Sequence, residues 1–190
     1  MITAVIYGGF LYIITKIFFV FPLTIIKKYD KIYSVEQNEG ARLMRETFMR
    51  AALDEAKLAF DEEEIPIGAV VVCDGRIIAR AHNMREQLKD PTAHAEILAM
   101  RKAAQYLGGW RLHRCDLYVT VEPCPMCAGA IVQARFNSLV FGAYDEKAGC
   151  CGTVYNLCDE PRFNHKLPIT GGILREECAK IMSDFFKRKR

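Results

Sequence analysis

The chain has 190 residues, a net charge of +3 and 51% hydrophobic residues, which is enough for one globular domain with a real core. Its eight cysteines sit in a chain too long for a small disulfide-stapled secreted scaffold, so we expect mostly reduced thiols and a cytoplasmic protein. No internal repeat or low-complexity tract is visible. The mildly basic charge does not by itself indicate a partner.

The first 26 residues differ from the rest, because they are apolar and carry one charge, Lys16. A run of about 20 apolar residues can span a bilayer, and the lysines that follow would then place the remainder in the cytoplasm. Globular patterning begins only near Met44. We therefore favour an overextended gene start over a membrane anchor for residues 1–43, and we expect the functional domain over residues 44–190.

The first half of this domain predicts a helix followed by a hairpin. Apolar residues at helical spacing predict a helix from Arg45 to about Glu63. The next stretch, IPIGAVVVCDGRIIARAHN, has two β-branched runs around Asp74 and Gly75, a dipeptide typical of two-residue hairpin turns. Residues 84–91 are expected to form a polar loop.

The second half alternates helices and strands. The stretch TAHAEILAMRKAAQYLGG predicts a helix with Thr92 as N-cap, and PMCAGAIVQAR predicts another with Pro125 in its first turn. Strands are expected at CDLYVTVE and SLVFGAYD, a long loop with one short helical turn at residues 146–164, and an amphipathic helix at the C-terminus. The alternation predicts a three-layer α/β/α fold around a mixed sheet of roughly five strands.

Two helix starts carry the residues best suited to chemistry: His94 with Glu96, and Cys124 with Cys127. Helix starts gather at one edge of the sheet in layered α/β proteins, so these side chains could meet. Imidazole and thiolate suit tetrahedral zinc, and three protein ligands leave a fourth position for water, as in catalytic sites. A carboxylate at Glu96 could then move a proton from that water.

Two other interpretations of the cysteine pair remain. A redox-active cysteine pair is typical of a thioredoxin-like sequence context. The second proline and the His-x-Glu motif argue against that context. A structural zinc site needs a fourth ligand, for which His82, His113 and His165 are candidates without metal-like spacing.

The motifs "HAE" and "PCPMC" together match the signature of zinc-dependent nucleobase and nucleoside deaminases. With "FMRAALDEAKLAFDEEEIPIGAVVV", "FGAYDEKAG" and "MSDFF", the chain resembles the bacterial tRNA-specific adenosine deaminases from about residue 45 to its end. The resemblance implies a cytidine deaminase-like fold, conversion of wobble adenosine to inosine in tRNA anticodons, and a homodimer with one zinc ion per subunit. The implied zinc ligands are His94, Cys124 and Cys127, the implied proton shuttle is Glu96, and the implied substrate-binding residues are Asn83, Asp145, Phe185 and Phe186.

The residues alone leave several of these roles open. Asn83 could brace the hairpin, Asp145 could be a turn residue, and Phe185 could face the core. The basic end beyond Phe186 suits phosphate contact. Alternative functions are a deaminase of free guanine, cytosine or cytidine, a non-catalytic zinc-stabilised RNA-binding module, and a membrane-tethered deaminase. We assign no function to the adjacent Cys150 and Cys151.

Overall fold

The computed structural model describes the backbone of residues 3–7, 10–14 and 23–189 and the side chains of residues 39–189. The chain divides into two compact units, Met1–Ala41 and Arg42–Arg190. In the first unit, β1 (Thr3–Tyr7) pairs antiparallel with β2 (Phe10–Ile14). No helix of the described residues is both long and apolar enough to cross a membrane. The other residues of the apolar N-terminal run, considered above as a possible anchor, lie outside the described residues.

The predicted first helix is present but begins earlier than expected. Helix α1 spans Leu23–Asp61, whereas the spacing of apolar residues predicts a start at Arg45. Residues 39–45, the part of the preceding turns whose side chains are described, are all exposed, so they show no buried apolar stripe. The predicted hairpin is confirmed as β3 (Gly68–Cys73) and β4 (Arg76–His82). Asp74 and Gly75 have positive φ values of 49° and 74°, as a type I′ turn requires.

The remaining predicted elements are also present, with one correction and two additions. Thr92 is not the N-cap of the next helix, because that helix begins after His94 and the Thr92 hydroxyl donates to Asp90 instead. The polar loop contains one helical turn, and a two-residue strand that the sequence does not signal precedes the last helix. The elements are α2 (Arg85–Leu88), α3 (Ala95–Leu107), β5 (Cys115–Val121), α4 (Pro125–Ala134), β6 (Ser138–Ala143), a 3₁₀ turn (Leu157–Asp159), β7 (Ile169–Thr170) and α5 (Arg175–Arg188).

The sheet of the second unit is mixed and has five strands in the order β4-β3-β5-β6-β7. One apolar cluster packs α3 and α4 against one face, and a second cluster packs α1 and α5 against the other. The predicted three-layer α/β/α architecture is therefore confirmed.

Strand direction decides where the functional residues meet. Strand β3 runs antiparallel to both β4 and β5, so β4 and β5 point the same way, and β6 is parallel to β5. The carboxyl ends of β4, β5 and β6 consequently lie at one edge of the sheet. Asn83 follows β4 directly, Cys124 follows β5 closely, and Asp145 lies just after β6. Ligands of open α/β sheets bind at such an edge.

Candidate metal and nucleobase site

A cluster of one histidine and two cysteines forms where α3 and α4 begin. His94 is the N-cap of α3, Cys124 is the N-cap of α4, and Cys127 lies in the first turn of α4. His94 Nδ1 lies 3.7 Å from Cys124 Sγ and 3.5 Å from Cys127 Sγ. The three ligand atoms all lie within 4.8 Å of one another.

These spacings fit a metal ion. With Zn–S bonds of about 2.3 Å and Zn–N bonds of about 2.0 Å, tetrahedral ligand atoms are roughly 3.5–3.8 Å apart. Among the residues whose side chains are described, this is the only such group of three or more His, Cys, Asp or Glu residues. His82 instead contacts Glu55 and Glu62, and His165 bonds to a backbone oxygen, so neither joins the cluster as a fourth ligand.

Local structure prepares the cysteines for metal binding. Pro125 begins α4 at a position where a missing backbone N–H costs nothing, so the helix starts directly after Cys124. A hydrogen bond donated by the Cys127 thiol, with a further one donated by His94, lowers the pKa of Cys124 to about 4. The same hydrogen bond to Cys124, together with burial, raises the pKa of Cys127. The hydrogen bond with Cys124 also raises the pKa of His94. One thiolate is thus already favoured at a helix N-terminus, as a zinc ligand requires.

Glu96 places a buried carboxyl group beside this cluster. Its side chain is 3% exposed, and Oε2 has no hydrogen-bond partner among the described residues. Burial raises the pKa of Glu96, and its carboxyl group also interacts with the Cys127 side chain. A buried polar atom without a partner is rare in folded proteins. The arrangement therefore provides a group that can take up and release a proton next to a potential metal ligand set.

Asn83 is buried next to the loop that carries His94. The backbone N–H of Met84 donates to the carbonyl oxygen of Ala93, the residue before His94, at 3.0 Å. Asn83 Nδ2 donates to Glu64 Oε2 at 2.9 Å. Asn83 therefore braces the hairpin and also lies at the sheet edge where the ligand cluster forms. A structural role and the predicted contact with a base are compatible.

Asp145 shapes the turn that follows β6. Its Oδ1 accepts hydrogen bonds from the backbone N–H groups of Lys147 and Ala148 at 2.9 and 3.2 Å. Its own backbone N–H donates to Glu122 Oε2 at 3.2 Å. Asp145 is therefore a turn residue, which is one of the two roles that the sequence allows. Its contact with a substrate stays a prediction.

The two phenylalanines of α5 have different environments. Phe185 is 4% exposed, and its ring centroid lies 5.7 Å from that of Phe60 in α1. Phe186 is 47% exposed and lies edge-on against Phe185 at 5.5 Å. Lys187 and Arg188 follow it on the exposed end of the helix. Within this chain, Phe185 is a core residue, whereas Phe186 is available to a partner.

Two buried acids, Glu64 and Glu122, support the site and were missed by sequence reasoning. Glu122 directly follows β5, is 3% exposed, and accepts hydrogen bonds from the backbone N–H groups of Cys151 and Thr153 at 3.0 Å each. A Cβ atom at Gly149 would lie 2.5 Å from its carboxylate, so only glycine fits there. For Glu122, the signal in the sequence is an acidic residue at the end of an apolar strand pattern, in "VTVEPC".

Comparison with known proteins identifies the family. A family model for MafB19-like deaminases matches residues 43–190. The chain is 52% identical over 145 residues to a protein of Bacillus subtilis named tRNA-specific adenosine deaminase, covering 76% of this chain and 90% of that protein. A solved structure from a study of A-to-I editing by tRNA:A34 deaminases at the wobble position of transfer RNA is 46% identical. It has a TM-score of 0.69 and covers 71% of this chain and 98% of that one.

Free-base deaminases share the fold. The structure of a guanine deaminase from Bacillus subtilis is 36% identical with a TM-score of 0.52, covering 76% of this chain and 94% of that one. The tRNA-deaminase relatives match at higher identity, and the resemblance and enzyme class predicted from the sequence are confirmed. The chain belongs to the family of tRNA-specific adenosine deaminases.

Proposed function

We propose that the chain hydrolyses adenosine to inosine at the wobble position of tRNA anticodons. The observation that carries the proposal is the His94, Cys124 and Cys127 cluster, with the buried, unpaired carboxyl oxygen of Glu96 beside it. A structural metal site has no use for such a group, which argues against a non-catalytic RNA-binding module. The identity to tRNA-specific adenosine deaminases supports tRNA as the substrate.

We assign zinc as the cofactor, one ion per subunit, held by His94, Cys124 and Cys127. One imidazole and two thiols are ligands that zinc prefers, and their spacing fits its tetrahedral geometry. Zinc in this position would lower the pKa of water in the open fourth position to about 7 and so supply a nucleophile at neutral pH.

Glu96 is the proposed proton carrier. Water adds its oxygen to C6 of the purine, and the C6–N6 bond breaks to release ammonia. The attacking water gives up both of its protons in the course of the reaction, one to the ring nitrogen N1 and one to the leaving amino group. A single carboxyl group next to the reaction centre can make these transfers in turn, and burial raises the pKa of Glu96, which favours its protonated form as a proton donor. Such catalysis typically contributes about 10²- to 10⁴-fold in rate.

The other proposed site residues orient the RNA. Asn83 would contact the target base, and Asp145 the neighbouring nucleotide or sugar. On α5, Phe186 would stack on a base while Phe185 holds it in position from the core, and the basic residues after it would contact phosphates. An anticodon loop suits such a site, because its bases are already unpaired and can enter a pocket at low cost.

We further propose a homodimer in the cytoplasm. Tyr106, in the last turn of α3, is 71% exposed, and Trp110, three residues after the helix ends, is 56% exposed. Trp110 lines an apolar groove together with Met100 and Ala130. Exposed apolar surfaces of this kind are typical of interfaces. All eight cysteines are free, which suits a reducing compartment.

Inosine formation by the purified full chain tests the function. The substrate is an anticodon stem-loop with a wobble adenosine, and free guanine, cytosine and cytidine are offered in parallel. We expect inosine in the RNA from the zinc-loaded protein and none from the Glu96→Ala variant. A folded, metal-loaded protein that deaminates guanine and leaves the stem-loop unchanged would establish the free-base alternative instead.

A further inference from the structure

The structure contains a buried carboxylate that the proposed reaction does not use. Glu64 is 0% exposed, and the Asn83 side chain that it holds is 2% exposed. Asn83 Nδ2 donates to Glu64 Oε2 at 2.9 Å, and the backbone N–H of Gln87 donates to Glu64 Oε1 at 2.8 Å. Both carboxylate oxygens are therefore engaged, one with the side chain of Asn83 and one with the backbone of α2.

The end of helix α1 fixes Glu64 before any substrate binds. Glu63 has a positive φ of 62°, which turns the chain away from the helix axis. The backbone N–H of Glu64 then donates to the carbonyl oxygen of Ala59 at 2.9 Å. This turn directs Glu64 inward, while the two glutamates before it remain exposed. Asn83 thus rests on a carboxylate whose position is set by the fold.

A carboxylate can only accept, so it determines which way the amide of Asn83 points. With Nδ2 toward Glu64, the pair makes a charge-assisted hydrogen bond. In the flipped orientation, Oδ1 would face Oε2, and two buried acceptors would lie in contact without a proton between them. Glu64 uses one of the two N–H groups of Asn83. Oδ1 and the second N–H are left in a fixed arrangement to meet a base.

A fixed amide distinguishes amino purines from oxo purines. Adenine presents an acceptor at N7 and a donor at N6, which an asparagine amide can pair with in bidentate fashion. Guanine presents acceptors at both N7 and O6, and inosine likewise carries a carbonyl oxygen at C6. One of these two acceptors would face Oδ1. Only an amide that can reorient could accommodate both types of base.

We propose that Glu64 is a positioning residue that locks the amide of Asn83 and thereby makes the site prefer adenosine over 6-oxopurine nucleosides, including its own product inosine. The inference rests on the proposed function, because it concerns the base that enters the same site. Its consequence is product release: conversion of N6 to O6 replaces a matched contact with a mismatched one.

Binding to substrate and product RNA tests this role without turnover. The full chain carries Glu96→Ala, and dissociation constants are measured for two anticodon stem-loops that differ only in adenosine or inosine at the wobble position. We expect the adenosine RNA to bind about 5- to 150-fold more tightly, as the roughly 1–3 kcal/mol of one bidentate contact implies. Adding Glu64→Gln should bring this ratio close to 1, mainly by tightening the inosine complex, since a glutamine can accept from or donate to either end of the amide.

The matched control is Glu63→Gln, which makes the same charge change on the adjacent exposed residue and should keep the ratio of the parent. If Glu64 were merely structural, Glu64→Gln would weaken both complexes equally and leave the ratio unchanged, and that result would overturn the proposal. A ratio near 1 in the parent protein would overturn it as well.

A second measurement needs no change at Glu64 and therefore stands even if that variant does not fold. A stem-loop with 7-deazaadenosine at the wobble position lacks the N7 acceptor, and the parent should bind it about 5-fold or more weakly than the adenosine RNA. Equal affinity contradicts the proposed contact. Wild-type protein that forms inosine but fails these binding tests would refute the role of Glu64 alone, whereas absence of inosine would refute the proposed function.

Discussion

Glu122 ties the loop after β6 to the end of β5, and we expect its replacement to loosen that loop. Its Oε1 accepts from the backbone N–H groups of Cys151 and Thr153, and its Oε2 accepts from the backbone N–H of Asp145 and from the Thr153 hydroxyl. Glu122→Gln keeps the shape of the side chain but turns one acceptor oxygen into an NH₂ group. The N–H of Asp145 then faces a donor.

The expected cost follows from these contacts. A buried donor left without an acceptor costs about 1–3 kcal/mol, and the remaining bonds lose the advantage of a charged acceptor. Thr153 is exposed, so water can replace part of what it loses. We therefore expect a loss of about 2–3 kcal/mol in the free energy of unfolding. For a domain of this size, that corresponds to a fall of roughly 4–12 °C in Tm.

Thermal unfolding followed by circular dichroism, on metal-loaded full chain, measures this difference. Glu146→Gln is the matched control, because it makes the same charge change at an exposed position of the same loop and should shift stability by less than about 0.5 kcal/mol. If Glu122→Gln and Glu146→Gln melted together, the hydrogen bonds to Glu122 would contribute no stability and the reasoning would be wrong.

Three further results are expected. Phe185→Ala should lower the free energy of unfolding by about 3–5 kcal/mol because it empties a core position. Phe186→Ala should leave Tm nearly unchanged and weaken stem-loop binding. Equal effects of the two variants on Tm would contradict the different environments of the two rings. A Cβ atom at Gly68 would lie 2.0 Å from a backbone oxygen of α1, so Gly68→Ala should severely destabilise the fold. A Cβ atom at Gly129 on α4 would meet open space, so Gly129→Ala should raise the free energy of unfolding in urea by about 0.5–1 kcal/mol. Cys127→Ala should lose bound zinc as measured by elemental analysis, and a variant that retained one zinc per subunit would refute the ligand assignment.

The sequence predicts the elements whose local chemistry has few solutions. Asp74 and Gly75 can adopt positive φ, so the hairpin and its turn could be identified from two residues. Pro125 marks the first turn of α4 for an equally local reason. The spacing of His94 and Cys124, by contrast, indicates a common site only because helix starts share an edge of the sheet, and the structure brings the two side chains together as expected.

Features that depend on tertiary context could not be predicted. Thr92 has the side chain of an N-cap, but Asp90 captures its hydroxyl group and His94 takes the position. The run of three glutamates after α1 gives no local sign of which one is buried. The structure buries Glu64 because Glu63 adopts a left-handed conformation that turns the chain inward. A pattern of hydrophobic residues cannot show which of three adjacent acids is buried, since the burial of Glu64 is balanced by Asn83 and Gln87 from a distant part of the chain.

The hydrogen bonding of the three buried acids separates their roles. Glu64 and Glu122 have both carboxylate oxygens engaged, and each holds a residue at the edge of the site, Asn83 in one case and Asp145 in the other. Glu96 is equally buried but keeps one oxygen without a partner among the described residues. Each oxygen of Glu64 and Glu122 already accepts at least one hydrogen bond from the protein, whereas the unpaired oxygen of Glu96 beside the ligand cluster is left to exchange a proton with a ligand. This incomplete hydrogen bonding supports Glu96 as the proposed proton carrier, independently of its place in the HAE motif.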